Sequence, residues 1–293
     1  WFVEDCRRFT TWQQISRYYD YMFLIQKDEF PRLVEQAGAG RAVYLPVGCD
    51  PAIHRPLQLS DEEKAKWGSQ LSFVGAGYNN RRYMFSLLAQ HDFKIWGTQW
   101  PACMPFTKLV QEGGRRLAVE EYVKIFNAST INLNLHSSAE RDGVEPDGDF
   151  INPRTFELAA CGAFQLVDQR KYLAENFTPG VEIADFADEK EMLERGAYYL
   201  AHPAERQRII DAGRKRALAE HTYQHRLQAM LDYIYADRFE DLKARVQQSP
   251  WAKTFEAAKP YPELIKRFNA VYERGEEPTI ESLAADIQTG KGA

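Results

Sequence analysis

Arg154 and Glu157 lie three positions apart in the run Asn152-Pro153-Arg154-Thr155-Phe156-Glu157-Leu158-Ala159-Ala160-Cys161-Gly162-Ala163-Phe164-Gln165-Leu166-Val167-Asp168. That run reads as a short helix, a glycine stop and a buried strand. Spacing of three puts both side chains on one face near the helix start. A helix start favours anions, because unpaired backbone N–H groups and the helix dipole point there. Arginine and glutamate at such a place suit a nucleoside diphosphate, the cation for phosphates and the carboxylate for ribose hydroxyls. The plainer reading is an ion pair on a solvated helix face.

A second candidate is Gly75-Ala76-Gly77, between a strand-like Leu71-Ser72-Phe73-Val74 and a helix-like Arg81 to Gln90. Glycine lets backbone approach a phosphate closely. Asn80 stands where a dinucleotide fingerprint needs a third small residue, so the motif is incomplete. Arg81 and Arg82 sit at a helix start, where cations are disfavoured unless one faces an anion. Solvated arginines are the alternative. His136 ends the strand Thr130 to Leu135, at the edge where open α/β sheets hold ligands. It could position a sugar hydroxyl or move a proton, or be a hydrogen-bonded structural histidine. Trp96-Gly97-Thr98-Gln99-Trp100 puts two indoles at a strand end, for stacking on a ligand or for the core. The acidic loop 140–149 could supply a carboxylate or remain solvated.

These residues must be held by strands alternating with helices, which implies βαβ units and a parallel sheet. Strands are expected at Tyr21 to Ile25, Ala42 to Gly48, Leu71 to Val74, Phe93 to Gly97 and Thr130 to Leu135. Two more follow, Phe164 to Asp168 and a short one beginning at Glu182-Ile183. Helices are expected at Glu29 to Gln36, Ser60 to Gly68, Glu120 to Asn127, Lys190 to Leu200, Ala204 to Glu220 and Tyr223 to Gln247. Three segments result: 1–57, 58–235 and a helical extension 236–293. Leu264, Ile265, Phe268 and Val271 form an apolar stripe that docks on the domain, and Gly290 to Ala293 is expected to be disordered. Residues 1–57 carry too few strands for a domain, so a preceding portion is expected.

The chain has 293 residues, 44% of them apolar, with net charge −5. Interspersed charge gives no footprint for nucleic acid, and no apolar run is long enough to span a bilayer. The four cysteines are scattered without a metal or disulfide pattern, so free thiols in the cytoplasm are expected. There is no Gly-x-Ser-x-Gly, Walker or His-Glu-x-x-His motif.

Residues Leu71 to about Tyr235 resemble the C-terminal lobe of CgeB-like (spore maturation type) glycosyltransferases, which have the GT-B fold and are similar to family 4 retaining enzymes. The resemblance rests on Phe73-Val74-Gly75, Ile95-Trp96-Gly97, Ile131-Asn132-Leu133-Asn134, Arg154 through Leu166 and Ala219-Glu220-His221-Thr222-Tyr223. It implies an α/β protein with a Rossmann-like nucleotide-sugar lobe and part of a second, N-terminal acceptor lobe in 1–57. The family carries two acids eight positions apart. The second, which contacts ribose, matches Glu157. The first falls on Asp149, an Asp where Glu is usual, and Asp142 is the other acid the loop could bring there. Arg81 or Arg82 matches the family's phosphate arginine. The usual lysine after it is absent, which leaves Arg154 to substitute. The resemblance thus implies a hexosyltransferase-like enzyme with a nucleoside-diphosphate sugar as donor, an unknown acceptor, no cofactor and no metal. On that reading His136, Asp149 and Arg154 are the catalytic candidates. Gly75, Gly77, Arg81, Arg82, Trp96, Gly97, Arg154 and Glu157 hold the nucleotide. A non-catalytic nucleotide-sugar or glycan-binding module is the alternative, and a scaffold for surface-polysaccharide assembly a third.

Overall fold

The computed structural model describes residues 1–138, 141–275 and 282. The expected tail 290–293 lies outside the described residues, as does Glu140 of the acidic loop. The chain divides into two compact units, residues 1–228 and 229–293. The first unit holds two parallel sheets. A two-stranded sheet pairs β1 (Tyr21–Leu24) with β2 (Arg41–Tyr44). A five-stranded sheet comprises β3 (Leu71–Val74), β4 (Phe93–Trp96), β5 (Ile131–Asn134), β6 (Gln165–Asp168) and β7 (Ala184–Phe186). Its order is β4-β3-β5-β6-β7, parallel throughout. Segment 1–57 therefore folds in the same unit as the five-stranded sheet, and the division falls after Gln228.

The strands read as apolar runs because helices cover both faces of a parallel sheet. On β6, Leu166 joins the larger core cluster with Phe73, Phe85, Ile95 and Phe186. Val167, the next residue, joins the opposite cluster with Phe156, Ala159, Cys49 and Ile183. Strand alternation thus splits one sequence between two cores.

β5 differs: its second face is polar and still buried. Ser72 Oγ donates to Asn132 Oδ1 at 2.9 Å, and Asn134 Nδ2 donates to Thr155 Oγ1 at 3.0 Å and Gln165 Oε1 at 3.1 Å. Gln165 Nε2 donates to the Thr155 carbonyl at 2.8 Å. A satisfied buried network of this kind specifies one seating for the helix above it, here Pro153–Ala160.

Several elements are shorter than their apolar runs suggest. The helix after the glycine bend is Asn79–Ser86, two residues earlier at its start than expected and four short of Gln90. β2 stops at Tyr44, two residues before Pro46, which lacks the N–H a ladder needs. The chain between Asp168 and Ala184 is a loop with one short helix, Leu173–Asn176. The helix Asp61–Trp67 opens on a capping box: Ser60 Oγ accepts from the Glu63 N–H, and Glu63 accepts from the Ser60 N–H.

In the second unit, helices Pro250–Ala258 and Pro262–Glu273 pair. Phe268 and Val271 of the expected stripe are buried, and the Phe255 and Phe268 rings lie 6.0 Å apart. Among the described residues no helix is long and apolar enough to cross a membrane.

Candidate functional site at the carboxyl edge of the sheet

The helix Pro153–Ala160 starts where chemistry was expected. Asn152 caps it, its side chain accepting from the Thr155 N–H at 3.0 Å, and Pro153 occupies the first turn, where no intrahelical N–H is needed. Thr155 to Ala160 are all buried. Arg154 Nη1 and Glu157 Oε2 form the expected pair at 2.5 Å, but not on a solvated face. Glu157 is 8% exposed. The Arg154 guanidinium lies over Tyr122 at 4.5 Å and Phe126 at 5.0 Å.

His54 completes this corner, although no motif in the sequence marks it. Its Nδ1 accepts from the Asp50 N–H at 3.0 Å, so the ring proton sits on Nε2. That nitrogen is 3.2 Å from Tyr122 Oη and 3.9 Å from Glu157 Oε1. Burial lowers the His54 pKa, keeping the ring neutral. Burial, reinforced by Glu157, pushes the Tyr122 hydroxyl up to about 12.

The glycine bend is built differently from the expected phosphate cradle. The N–H groups of Gly75, Gly77 and Tyr78 donate to the carbonyls of Trp96, Thr98 and Ala76. A Cβ on Gly77 would lie 2.7 Å from the Trp100 indole, and one on Gly97, whose φ is +116°, would lie 2.5 Å from the Gly75 carbonyl oxygen. The glycines thus let two strand ends and an indole close on one another. Arg81 is engaged as well: its Nε donates to the Leu135 carbonyl at 2.9 Å and its Nη1 to the Ala76 carbonyl at 3.0 Å. Burial lowers its pKa to about 10. Arg82 Nη2 donates to the Gln99 carbonyl at 2.7 Å. The cations that looked misplaced at a helix start are matched by strand-end carbonyls. Trp96 is 2% exposed and packs on Trp67 with ring centroids 5.1 Å apart, so it is core and out of a ligand's reach. Trp100, by contrast, lines an open cleft of about 320 Å³ with Gln99, Phe106, Val110 and Gly114.

His136 and Asp149 depart from their expected roles by being sealed. His136 is fully buried; its Nδ1 meets Asp168 Oδ1 at 2.6 Å and its Nε2 accepts from the Asn152 N–H at 2.9 Å. Burial lowers the imidazole pKa. Burial alone would raise the Asp168 carboxyl, but His136 and Arg170 outweigh it and hold it below its usual range. The pair is therefore a neutral histidine donating to a carboxylate. Asp149 is likewise fully buried, its Oδ1 accepting from Arg7 Nη1 at 2.8 Å and its Oδ2 from the Asp28 N–H at 3.2 Å. Neither side chain has an edge free to meet a substrate.

The site lies at the carboxyl ends of β3, β4, β5 and β6, the edge where open parallel sheets bind ligands. A glycosyl transferase-like family model matches residues 81–232, more than half of the chain. The chain belongs to that family. The expected likeness to CgeB is borne out: spore protein CgeB of Bacillus subtilis (strain 168) is 24% identical over 233 residues, covering 76% of this chain and 70% of that one. Among solved structures, a sucrose-phosphate synthase from Thermosynechococcus elongatus superposes with TM-score 0.54 at 16% identity, over 78% of this chain. This chain spans 61% of that synthase. Anabaena HepE in complex with UDP-glucose gives TM-score 0.56 at 13% identity, over 79% of this chain and 70% of that one. The glycosyl transferase-like chain thus has the GT-B type of fold expected from its sequence.

Proposed function

We propose that the chain carries the donor half of a glycosyltransferase that moves a sugar from a nucleoside-diphosphate sugar to an acceptor, without a metal ion and with retention. Family membership and the fold support glycosyl transfer in general. The observation that carries the finer reading is the Glu157 carboxylate, fixed beside Arg154 and His54 at the start of the Pro153–Ala160 helix. A carboxylate held there accepts hydrogen bonds from the two ribose hydroxyls. The open cleft beside Trp100, which adjoins the glycine bend, has the size and the mixed apolar and polar lining that suit a base. Arg154 and the helix start then face the diphosphate, whose negative charge grows as the glycosidic bond breaks, and stabilise it electrostatically. Segment 1–57, with β1 and β2, contributes part of the acceptor-side lobe in this reading.

A thermal-shift screen across UDP, GDP and their sugars tests the proposal, since a ligand that binds only the folded state raises its melting temperature. No shift and no calorimetric heat at about 1 mM of any nucleotide, a concentration that detects even weak binding, would refute it. Donor turnover in the presence of EDTA tests metal independence, and the anomer released tests retention. The second reading, a non-catalytic nucleotide-sugar binder, is favoured by the sealing of His136 and Asp149. It predicts binding without donor hydrolysis.

A further inference from the structure

The first acid expected to face the sugar, Asp149, is committed elsewhere. Its partners Arg7 and Asp28 both come from the front segment. The Asp28 carboxylate in turn accepts from Lys171 Nζ at 2.8 Å and from Tyr172 Oη, and these bonds hold its carboxyl below the usual range. Asp149 is a clamp between the front segment and the loops that follow β5 and β6.

A different carboxylate of the same loop faces open space. Glu145 lines a cleft of about 160 Å³ together with Asp5, Arg8, Ser137, Phe150 and Arg170. Arg170 holds the loop in place. Its Nη2 donates to the Ser137 carbonyl at 3.3 Å and its Nη1 to the Glu145 carbonyl at 3.1 Å. A Cβ on Gly148 would lie 1.6 Å from that Nη1, so the guanidinium runs directly against the Gly148 backbone. The Glu145 carboxylate, 3.4 Å from Arg170 Nη1, is about one fifth exposed, whereas Asp149 is sealed. Across the cleft, the Arg8 guanidinium stacks over Tyr78 at 4.2 Å, beside the glycine bend, and among the described residues it has no carboxylate partner. Ser137 places the cleft at the end of β5, and Phe150 places it at the approach to the Pro153 helix.

We propose that Glu145, rather than Asp149, is the carboxylate that binds the transferred sugar. The proposal rests on the nucleotide-sugar reading above and names the sugar's contact within it. A cleft of mixed sign and this size suits one uncharged ring carrying hydroxyls. A carboxylate accepts from two neighbouring hydroxyls at once, and a free guanidinium donates to ring or hydroxyl oxygens. Asp149 acts through the clamp instead and touches no ligand.

Calorimetry separates the two carboxylates. The probe is whichever of UDP-glucose, UDP-galactose, UDP-N-acetylglucosamine or GDP-mannose gives the largest thermal shift, paired with its parent diphosphate. Glu145→Gln is expected to weaken the nucleotide sugar about tenfold, which is 1.4 kcal/mol, while the parent diphosphate binds within twofold of the unaltered protein. Asp149→Asn is expected to lower the melting temperature and leave the ratio of the two affinities unchanged. An unchanged ratio in Glu145→Gln, or a changed ratio in Asp149→Asn, overturns the assignment while leaving nucleotide binding intact. If the unaltered protein binds neither partner of the pair, the nucleotide-sugar reading falls and this assignment falls with it.

Discussion

The backbone N–H of Asn152 donates to His136 Nε2 at 2.9 Å, so a side chain two positions past the end of β5 fixes the cap of the site helix. The other ring nitrogen meets Asp168 at 2.6 Å. The imidazole therefore joins the end of β5, the end of β6 and the helix cap in one buried network.

His136→Phe keeps the ring's bulk but leaves the Asn152 N–H without its buried acceptor, and leaves Asp168 Oδ1 with the backbone N–H of residue 136 in place of two donors. The expected cost is about 2–5 kcal/mol, because unpaired buried polar groups and charges forfeit their solvation. Thermal unfolding should shift down by several degrees or more. An unchanged melting temperature with loss of sugar turnover would show instead that the ring reaches substrate.

Glu157→Gln should spare the fold and weaken binding of the preferred nucleotide, by tenfold or more in titration calorimetry. The amide keeps the volume and one acceptor, but it loses the charge that two ribose hydroxyls would share. Unfolding of this variant, with normal affinity in the part that folds, would mark Glu157 as a structural partner of Arg154.

Acid should destabilise the protein earlier than carboxylate titration alone would. His54, His136 and His221 are all held below the ordinary histidine value, chiefly by burial, His221 to about 4. Above pH 6.5 these groups are neutral in both the folded and the unfolded chain, so their stabilisation is complete. As pH falls below 6.5 the unfolded chain binds protons that the folded chain refuses, and stability is lost until the folded values are reached. For His221 the difference from 6.5 to 4 corresponds to roughly 3 kcal/mol. A melting temperature that stays level from pH 7.5 to pH 5 would contradict this.

Gly148→Ala should unseat Arg170, because the added methyl would sit 1.6 Å from its Nη1. A loss of about 1–3 kcal/mol in urea denaturation is expected, because the Arg170 side chain is buried and would have to give up its bonds to the Ser137 and Glu145 carbonyls. A variant as stable as the parent would mean that Arg170 has a second seat.

Much of the architecture was legible in the sequence because it depends on local patterns. Apolar runs between turn residues marked the five strands from β3 to β7 within a few residues. Asn152-Pro153 marked the start of the site helix, and the spacing of Arg154 and Glu157 put them on one face. Those features depend on dihedral preferences and on side-chain periodicity, which a chain carries residue by residue. What each polar residue faces depends on residues far away in sequence, and periodicity is silent about that. His136, Arg81 and Asp149 have residue types that suit catalysis or anion binding. Their partners Asp168, Leu135 and Arg7 lie 32, 54 and 142 positions away, and only the packing of β5 beside β6 and of the front segment against the loop brings them together. Tertiary packing likewise made His54, which belongs to no motif, a neighbour of Glu157. Burial then decided between chemistry and structure, because a group with every hydrogen-bonding position filled inside the protein has none left for a ligand.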